Sequence, residues 1–584
     1  MITRATSQRG RAASATIAAG AALALADGSI VVLALPQLLT ALDTGVEGVA
    51  AVIGVYTVVL AAALLPAEAL RRRIGPAHLG ALGLALFGLA SLVAGLAGSL
   101  ALMLTMRALQ ALGGAATLVA AFALLGAGER RGGGGRLWML AAIGGAAAGP
   151  AIGGALTEAF SWSAIFIAQV PVALAGAVAC WVSAGDATET VYRSRDAEDA
   201  DSALSVQPTA LRWRAIVALG LLSAALTAVL FLLVLVIVAG WSYEPLAGAA
   251  VLTVLPVAAI AGMRIRGDAR LRAAAGSLLV AGGVAALAAM VTSSAWWAIA
   301  PEVAAGVGMG MALPALSESL LPERTPSDAA RVLTARHVGI TVALLVLAPL
   351  IASRLDAAIE QARQREVAVL LDARLDPLSK IDLVGNFAGG VGEDDPRADL
   401  DRSFTELSAD IPDDQRAELE ATKERADQTV ITAVSDTFRP AFLVAGAFAL
   451  GAALLLMPAH AGRRLAPVAG VALAVPLITT AVALAVRPTP VALADPCESR
   501  SLPDTGGITG VAQDVALRGV DLAACRFGST REELVLALAN EDDAERYEAK
   551  YGVNPRSPSS VLSTLLDQVP GADELKSTLE QLAP

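Results

Sequence analysis

The sequence predicts an all-α polytopic membrane protein with thirteen spans, and three observations carry that reading. Of its 584 residues, 55% are apolar and only 17% are charged, giving a mean hydropathy of +0.63. Apolar runs of eighteen residues or more recur along the chain, each long enough as a helix to cross about 30 Å of hydrocarbon. In the short connections between those runs, arginine occurs only in alternate ones, as in a chain threaded back and forth through a bilayer.

The runs fall at 14–40, 49–70, 79–98, 99–125, 137–157, 163–183, 215–240, 246–263, 273–293, 296–316, 333–353, 440–458 and 465–486. One set of connections holds seventeen arginines, at 4–11, 71–73, 130–136, 264–272, 324–331 and 463–464; the opposite short loops hold none. Basic loops stay in the cytoplasm. The N-terminus is therefore expected inside and, after an odd number of spans, the C-terminus outside the plasma membrane. All seven tryptophans lie at span ends, where an amphipathic ring prefers the interface. The Arg-rich start and Ala-Leu-Ala before Asp27 resemble a cleavable signal, but cleavage there would invert every later span against the arginine pattern.

This threading divides the chain into an N-terminal six-span bundle (1–183), a cytoplasmic linker of mixed charge (184–212) and spans 7–11 (213–353). An extracytoplasmic acidic insert (354–437) follows, then span 12 with its cytoplasmic turn (438–464), span 13 (465–487) and an acidic outer tail (488–584). The insert carries −11 between Asp356 and Asp436 and the tail −8, which leaves +8 on the rest of the chain. Acidity outside argues against nucleic acid and makes insert and tail the parts expected to meet an envelope partner. In the insert, Leu355–Leu371 has apolar residues at helical spacing. Pro412–Val434 is expected to return as a second helix, with Asp413 and Asp414 at its positive end. The Gly-rich NFAGGVGEDD would join the two as a hairpin over the outer mouth.

Cys180 lies inside span 6. Cys497 and Cys525 share the oxidising outer side, so a disulfide is expected between them. The three histidines, His78, His337 and His460, sit at cytoplasmic loop edges and form no metal-ligand pattern. The glycines at 132–135 lack the Gly-Lys-Ser/Thr of a phosphate loop, and no hydrolase signature occurs. The sequence thus predicts no enzyme, no metal and no cofactor, and its apolar runs make the bilayer an expected partner.

Ionisable side chains inside spans are costly and are functional candidates for that reason. Asp27 stands thirteen residues into span 1, about 20 Å along a helix at 1.5 Å per residue. Arg107 is about eight residues from the outer end of span 4, so both are near mid-depth and within reach of each other. They form either a static structural pair or a proton-coupled switch, with Gln110 one turn from Arg107 to orient it. Glu302, after Pro301 in span 10, is expected to line a cavity or to snorkel outward. Glu68 and Glu318 are read as solvated near the cytoplasmic ends. Gln169, beside Pro171, binds substrate or caps a freed carbonyl. In span 5, Gly144–Gly154 reads GGAAAGPAIGG. Gly145, Gly149 and Gly153 form one bare stripe that lets a second backbone approach, and Pro150 permits a bend. That contact is a plain helix crossing, or one that re-forms as two bundles rock.

Three stretches resemble signatures of the drug:proton antiporter branch of the major facilitator superfamily, and a fourth is altered. Gly145–Gly154, with Gly149, Pro150, Gly153 and Gly154, is similar to its span-5 antiporter motif, G-x-x-x-G-P-x-x-G-G. ADGSIVVLALP at Ala26–Pro36 resembles the span-1 signature, although the family's asparagine is Val32. RALQALGGA at Arg107–Ala115 resembles R-x-x-Q-G-x-G-x-A, with Ala111 for the first glycine. The loop between spans 2 and 3 departs from its pattern, G-x-L-A-D-R-x-G-R-[RK]. Aligned on Gly75 it reads EALRRRIGPA, with Glu68 for the glycine and Arg72 for the acid of a gating ion pair. The matching RIRGDARLR between spans 8 and 9 retains Asp268 but is short. The resemblance covers about residues 14–460. It implies two six-span bundles in pseudo-symmetry, with the thirteenth span and outer helices added, and proton-coupled export of small amphiphilic or cationic molecules. The altered loop and the large outer parts support a different expectation, a transporter-derived scaffold or receptor that no longer transports.

Overall fold

The computed structural model describes residues 2–126, 134–183, 210–320, 325–390, 396–408, 415–458, 462–489, 491–498, 507–557 and 561. Most of the expected linker, 184–209, lies outside them, as does the side chain of Glu318. Helix is the only regular structure among the described residues. Twelve helices there are long and apolar enough to cross a membrane. A further helix of 26 residues, Gly134–Ala159, stands where the remaining span was expected.

The chain forms two units, Met1–Arg354 with Ser435–Val486, and Leu355–Val434 with Arg487–Pro584. In the first unit lie α1 (Ile2–Val32), α2 (Leu35–Ala41), α3 (Val46–Ile74), α4 (Pro76–Ala94), α5 (Leu100–Leu124), α6 (Gly134–Ala159) and α7 (Trp162–Ser183). They are followed by α8 (Ala210–Val234), α9 (Pro245–Leu252), α10 (Val254–Gly262), α11 (Ala269–Leu287) and α12 (Trp296–Leu320). The first part of α13 (Pro326–Asp372), the last part of α16 (Arg416–Leu456) and α17 (Gly462–Val486) complete it.

Two expected spans are not single helices. Span 1 breaks after Val32 and restarts as α2, because Pro36 has no N–H and its ring presses on the Val32 carbonyl four residues back. Pro256 acts in the same way on Leu252, separating α9 from α10. Span 7 ends in a wider π turn, Leu235–Gly240.

Small residues set the helix spacing. In the first half α4 lies on α5 and α7, and α1 on α6 and α7; in the second, α11 and α10 lie on α12, and α17 on α11. At the α4–α5 crossing a Cβ on Gly113 would come within 2.6 Å of the Phe87 amide nitrogen. Hydrocarbon offers little drive to bury apolar surface, so such close backbone contact is what holds these helices together.

The second unit contains the last part of α13, α14 (Pro377–Gly390), α15 (Pro396–Ser408), the first part of α16, α18 (Gly507–Phe527), α19 (Arg531–Ala539) and α20 (Glu541–Tyr551). Helix α13 does run on to Asp372, and α16 does lead back into span 12. The connection is not a simple hairpin, however. Residues 386–390 of the expected Gly-rich loop belong to α14, and α15 follows. Burial of Leu383, Val384, Leu400 and Phe404 in one core outweighs the poor helix propensity of glycine. Leu517 and Leu536 of the tail enter that same core, so insert and tail fold together.

Charge is buried here too. Arg531, 0% exposed, pairs with Asp372 at 2.8 Å and Glu532 at 3.0 Å. Burial pushes the Lys380 ammonium down to about 8, while its Nζ donates to the Leu371 carbonyl at 2.8 Å. A cleft of about 330 Å³ is braced by Arg363–Asp543 and Lys550–Glu533 pairs. Cys497 and Cys525 form a disulfide with Cα atoms 5.0 Å apart. Opening it, by Cys497→Ser with Cys525→Ser, is expected to destabilise this unit by about 3–4 kcal/mol, from the chain-entropy cost of a loop of that size. The measurement is the unfolding midpoint of this unit under limited proteolysis, which should fall clearly in the double variant.

Candidate functional site

The polar residues of spans 1, 3, 4 and 6 converge inside the first bundle. Arg107 Nη1 lies 2.7 Å from Asp27 Oδ2, with both side chains fully buried. The guanidinium is held on two further sides. Its Nε donates to the Val52 carbonyl at 3.0 Å and its Nη1 to Gln110 Oε1 at 2.6 Å. The second carboxylate oxygen, Asp27 Oδ1, accepts from the Gln110 and Gln169 amides, each at 3.2 Å. Gln110 Nε2 also donates to Ser91 at 2.8 Å and to Gln169 Oε1 at 2.8 Å. The Tyr56 ring covers Arg107 at 4.4 Å from its centroid, a cation–π contact. Tyr56 in turn donates to the Ala24 carbonyl at 2.9 Å.

Asp27, Arg107 and Gln110 thus lie together as their depth in the sequence suggested. Gln169 neither faces an open cavity nor caps a carbonyl through its amide; it is a member of the network. Ser91 and Tyr56 were not singled out from sequence. A serine and a tyrosine inside otherwise apolar runs were the available signal.

Glu302 stands apart. It is 0% exposed, beside the backbone of Leu255 in α10, and neither carboxylate oxygen has a hydrogen bond among the described residues. It therefore neither lines an open cavity nor snorkels outward, because α12 is clamped against α10 at this level, where a Cβ on Gly306 would strike the Leu255 carbonyl.

The glycine stripe of α6 faces α1. A Cβ on Gly145 would come within 2.6 Å of the Ala22 carbonyl, while those on Gly149 and Gly153 would collide with Ser29 and Ile30. Pro150 is buried in the same face. Gly154 alone turns to the opposite bundle, where a Cβ would lie 2.7 Å from the Pro245 carbonyl of α9. The stripe is mostly a contact within one bundle, and its end meets the other.

Glu68 corrects the sequence reading most. It is 4% exposed rather than solvated. Its carboxylate receives Arg71 at 2.8 and 3.1 Å and Arg72 at 3.3 Å. It also accepts from the Ser327 hydroxyl of α13 at 3.2 Å, and Arg72 donates to that hydroxyl at 2.7 Å. The loop that lacks an acid at Arg72 has one a single helical turn earlier, and Gly75 with φ 86° ends α3 just beyond it. Sequence alignment could not find this, because the carboxylate moved while the pairing stayed.

Two helix bundles, the first of which encloses a sealed charge network, define a polytopic helical membrane architecture. Residues 17–348, more than half of the chain, match the Major Facilitator Superfamily, and the chain belongs to that family. Over 152 residues it is 36% identical to the methyl viologen resistance protein SmvA of Salmonella typhimurium, a match covering 25% of this chain and 31% of that relative. It is 31% identical to the multidrug resistance protein Stp of Mycobacterium tuberculosis over 25% of this chain and 28% of Stp. With the tetracenomycin C resistance and export protein of Streptomyces glaucescens it shares 34% over 29% of this chain and 32% of that one. The chain thus spans about a third of the length of these relatives. A crystal structure of a bacterial homolog of the human lysosomal transporter Spinster, inward-facing and occupied, superposes with a TM-score of 0.51 at 14% identity. That match covers 75% of this chain and 95% of the other, and it concerns the fold alone.

Glu68 gives this site a stability test. Glu68→Gln removes the carboxylate from Arg71, itself 2% exposed, and should cost about 3–5 kcal/mol, as breaking a buried pair does. Thermal unfolding in micelles should show a marked loss for Glu68→Gln and a small one for Ser327→Ala. An unchanged midpoint for Glu68→Gln would return the residue to the solvated class.

Proposed function

We propose that this chain is a proton-coupled secondary transporter that exports small amphiphilic molecules across the plasma membrane by alternating access. In this reading the N-terminus is cytoplasmic and the C-terminus extracytoplasmic. The observation that carries it is the Asp27–Arg107 pair, sealed at mid-membrane and held by Gln110 and Gln169. A carboxylate so placed exists in two forms that the surrounding packing must treat differently. Charged, it neutralises Arg107; protonated, it releases the guanidinium and weakens the bond between spans 1 and 4. A proton then shifts the bundle between two arrangements, and a substrate that binds one of them better is driven by the proton gradient. The names of the partial relatives, which speak of drug resistance and export, favour small-molecule export.

The cationic substrates expected from sequence need a carboxylate open to the cavity. Asp27 and Glu302 are both 0% exposed, which takes weight from that class. The scaffold reading rested on the altered loop at Glu68–Gly75 and on the large insert and tail; the pairing of Glu68 with Arg71, Arg72 and Ser327 takes weight from the first of these.

Proton flux in inside-out vesicles, driven by a panel of lipophilic probes, tests the proposal. Asp27→Asn should abolish coupled flux and leave the fold largely intact, since amide and carboxylate are nearly isosteric. Arg107→Ala should also destabilise the protein by about 3–5 kcal/mol, because it strands a buried charge. Full coupled flux in Asp27→Asn would overturn the proposed mechanism.

A further inference from the structure

One charge in the membrane body has no counterpart in the network described above. Arg336 lies in α13, four residues inside the expected span 11, and was not singled out from sequence. The rule that ionisable residues within spans are functional candidates would have found it. Its direction follows from the helix it sits on. Val338, Val342, Leu345 and Val346 are each at least 40% exposed and form the outer, lipid-facing stripe of α13. At about 100° per residue, Arg336 points some 160° away from Val338, toward the first bundle.

Contacts on either side fix its height. Helices α3 and α13 run antiparallel and meet at Glu68–Ser327 (3.2 Å) and at Thr57–Thr341 (3.3 Å). Arg336 falls between these crossings in height, but Ser327 and Thr341 lie about 180° and 140° from it around α13, so it faces not α3 but the side on which Ala329 packs with Phe122 and Trp138 of the first bundle. Tyr56 is its electrostatic neighbour and is also the neighbour of Asp27 and Arg107. The tyrosine therefore stands between the sealed pair and Arg336. The adjacent His337, expected at a loop edge, is buried, with Nδ1 2.8 Å from the Leu333 carbonyl.

Arg336 is half-buried, and among the described residues it has no hydrogen bond and no ion pair. Two other arginines of the first bundle are matched: Arg107 by Asp27 and Arg71 by Glu68. An unmatched guanidinium at this depth is expensive unless it meets water or an anion. The charges around the inter-bundle face do not cancel it. Asp27 and Arg107 neutralise each other, Glu68 is outnumbered by Arg71 and Arg72, and Glu302 is sealed against α10, so none of these carboxylates is left over for Arg336.

Resting on the transport reading above, we propose that Arg336 is the head-group site for substrate, and that the exported molecule carries a sulfate, carboxylate or phosphate on an apolar body. The planar guanidinium fork suits such groups, which it grips through two parallel hydrogen bonds. The occupant is a transported amphiphile; a resident anionic lipid would offer the same chemistry, and the test separates the two.

Decyl sulfate and decyltrimethylammonium share a chain and differ in head-group charge. In equilibrium dialysis with the full-length protein in maltoside micelles, decyl sulfate should bind saturably at one site per chain, at least tenfold more tightly than decyltrimethylammonium. Arg336→Gln should weaken decyl sulfate at least tenfold, and Arg336→Lys, which keeps the charge but loses the fork, should fall between. Equal binding of the two head groups by the unmodified protein would overturn the inference, whatever the variants do. So would unchanged decyl sulfate binding in Arg336→Gln. In proteoliposomes decyl sulfate should drive proton flux; displacement of bound decyl sulfate by phosphatidylglycerol, without any decyl sulfate-driven flux, would assign the site to lipid and overturn the substrate claim. Proton flux with the cation and none with the anion would refute this inference alone and leave the transport reading standing. Selective, Arg336-dependent binding with no flux from any probe would support the anion site and count against transport.

Discussion

A charge removed from water into a membrane body must be met by an opposite one, and the arrangement of the first bundle follows from that constraint. Arg107 and Asp27 come from different spans and are both fully buried, so spans 4 and 1 cannot separate without stranding one of them. The amides of Gln110 and Gln169 then satisfy the carboxylate oxygen that the arginine leaves, which draws in span 6. Ser91 adds span 3 and Tyr56 adds span 2. Five spans are registered against one another by a single pair.

The same constraint operates where α3 ends and α13 begins, and Glu68 gathers Arg71, Arg72 and Ser327. These contacts cross between the bundles, whereas the Asp27 network lies within one. The two differ in what they resist. Breaking the first changes how the bundles meet; breaking the second changes how one bundle is built. The glycine stripe of α6 supports the second kind of order, because bare backbone at Gly145, Gly149 and Gly153 lets α1 approach closely enough to carry Asp27 into position. Gly154 extends that rigid wall to α9.

Much of this was legible in the sequence, for identifiable reasons. Span positions follow from run length, and the depth of Asp27 and Arg107 from counting along a helix, so their meeting was foreseeable. The proline breaks at Pro36 and Pro256 were not anticipated, since apolarity carries across a break that hydrogen bonding does not. Glu68 was misread because its distance from the span centre suggested solvent, whereas its burial depends on α13, which is far away in sequence. The outer hairpin was oversimplified for a similar reason. Glycines in NFAGG suggest a loop locally, but Leu383, Val384 and the tail residues Leu517 and Leu536 share a core that only tertiary packing reveals. Arg336 was visible as a charge inside a run; what made it informative, the lack of an ion-pair partner among the described residues, required the neighbouring helices.

The account turns on whether the Asp27–Arg107 pair couples protons or only holds helices together. The neutral double variant, Asp27→Asn with Arg107→Gln, separates these directly, because it removes both charges together and strands neither. Thermal unfolding and proton flux measured on the same reconstituted preparation give the answer. A coupling pair predicts a folded protein, with a midpoint close to that of the unmodified chain, and no substrate-driven proton flux. Recovery of stability together with full coupled flux would mean that the pair is structural and that the proton is carried elsewhere.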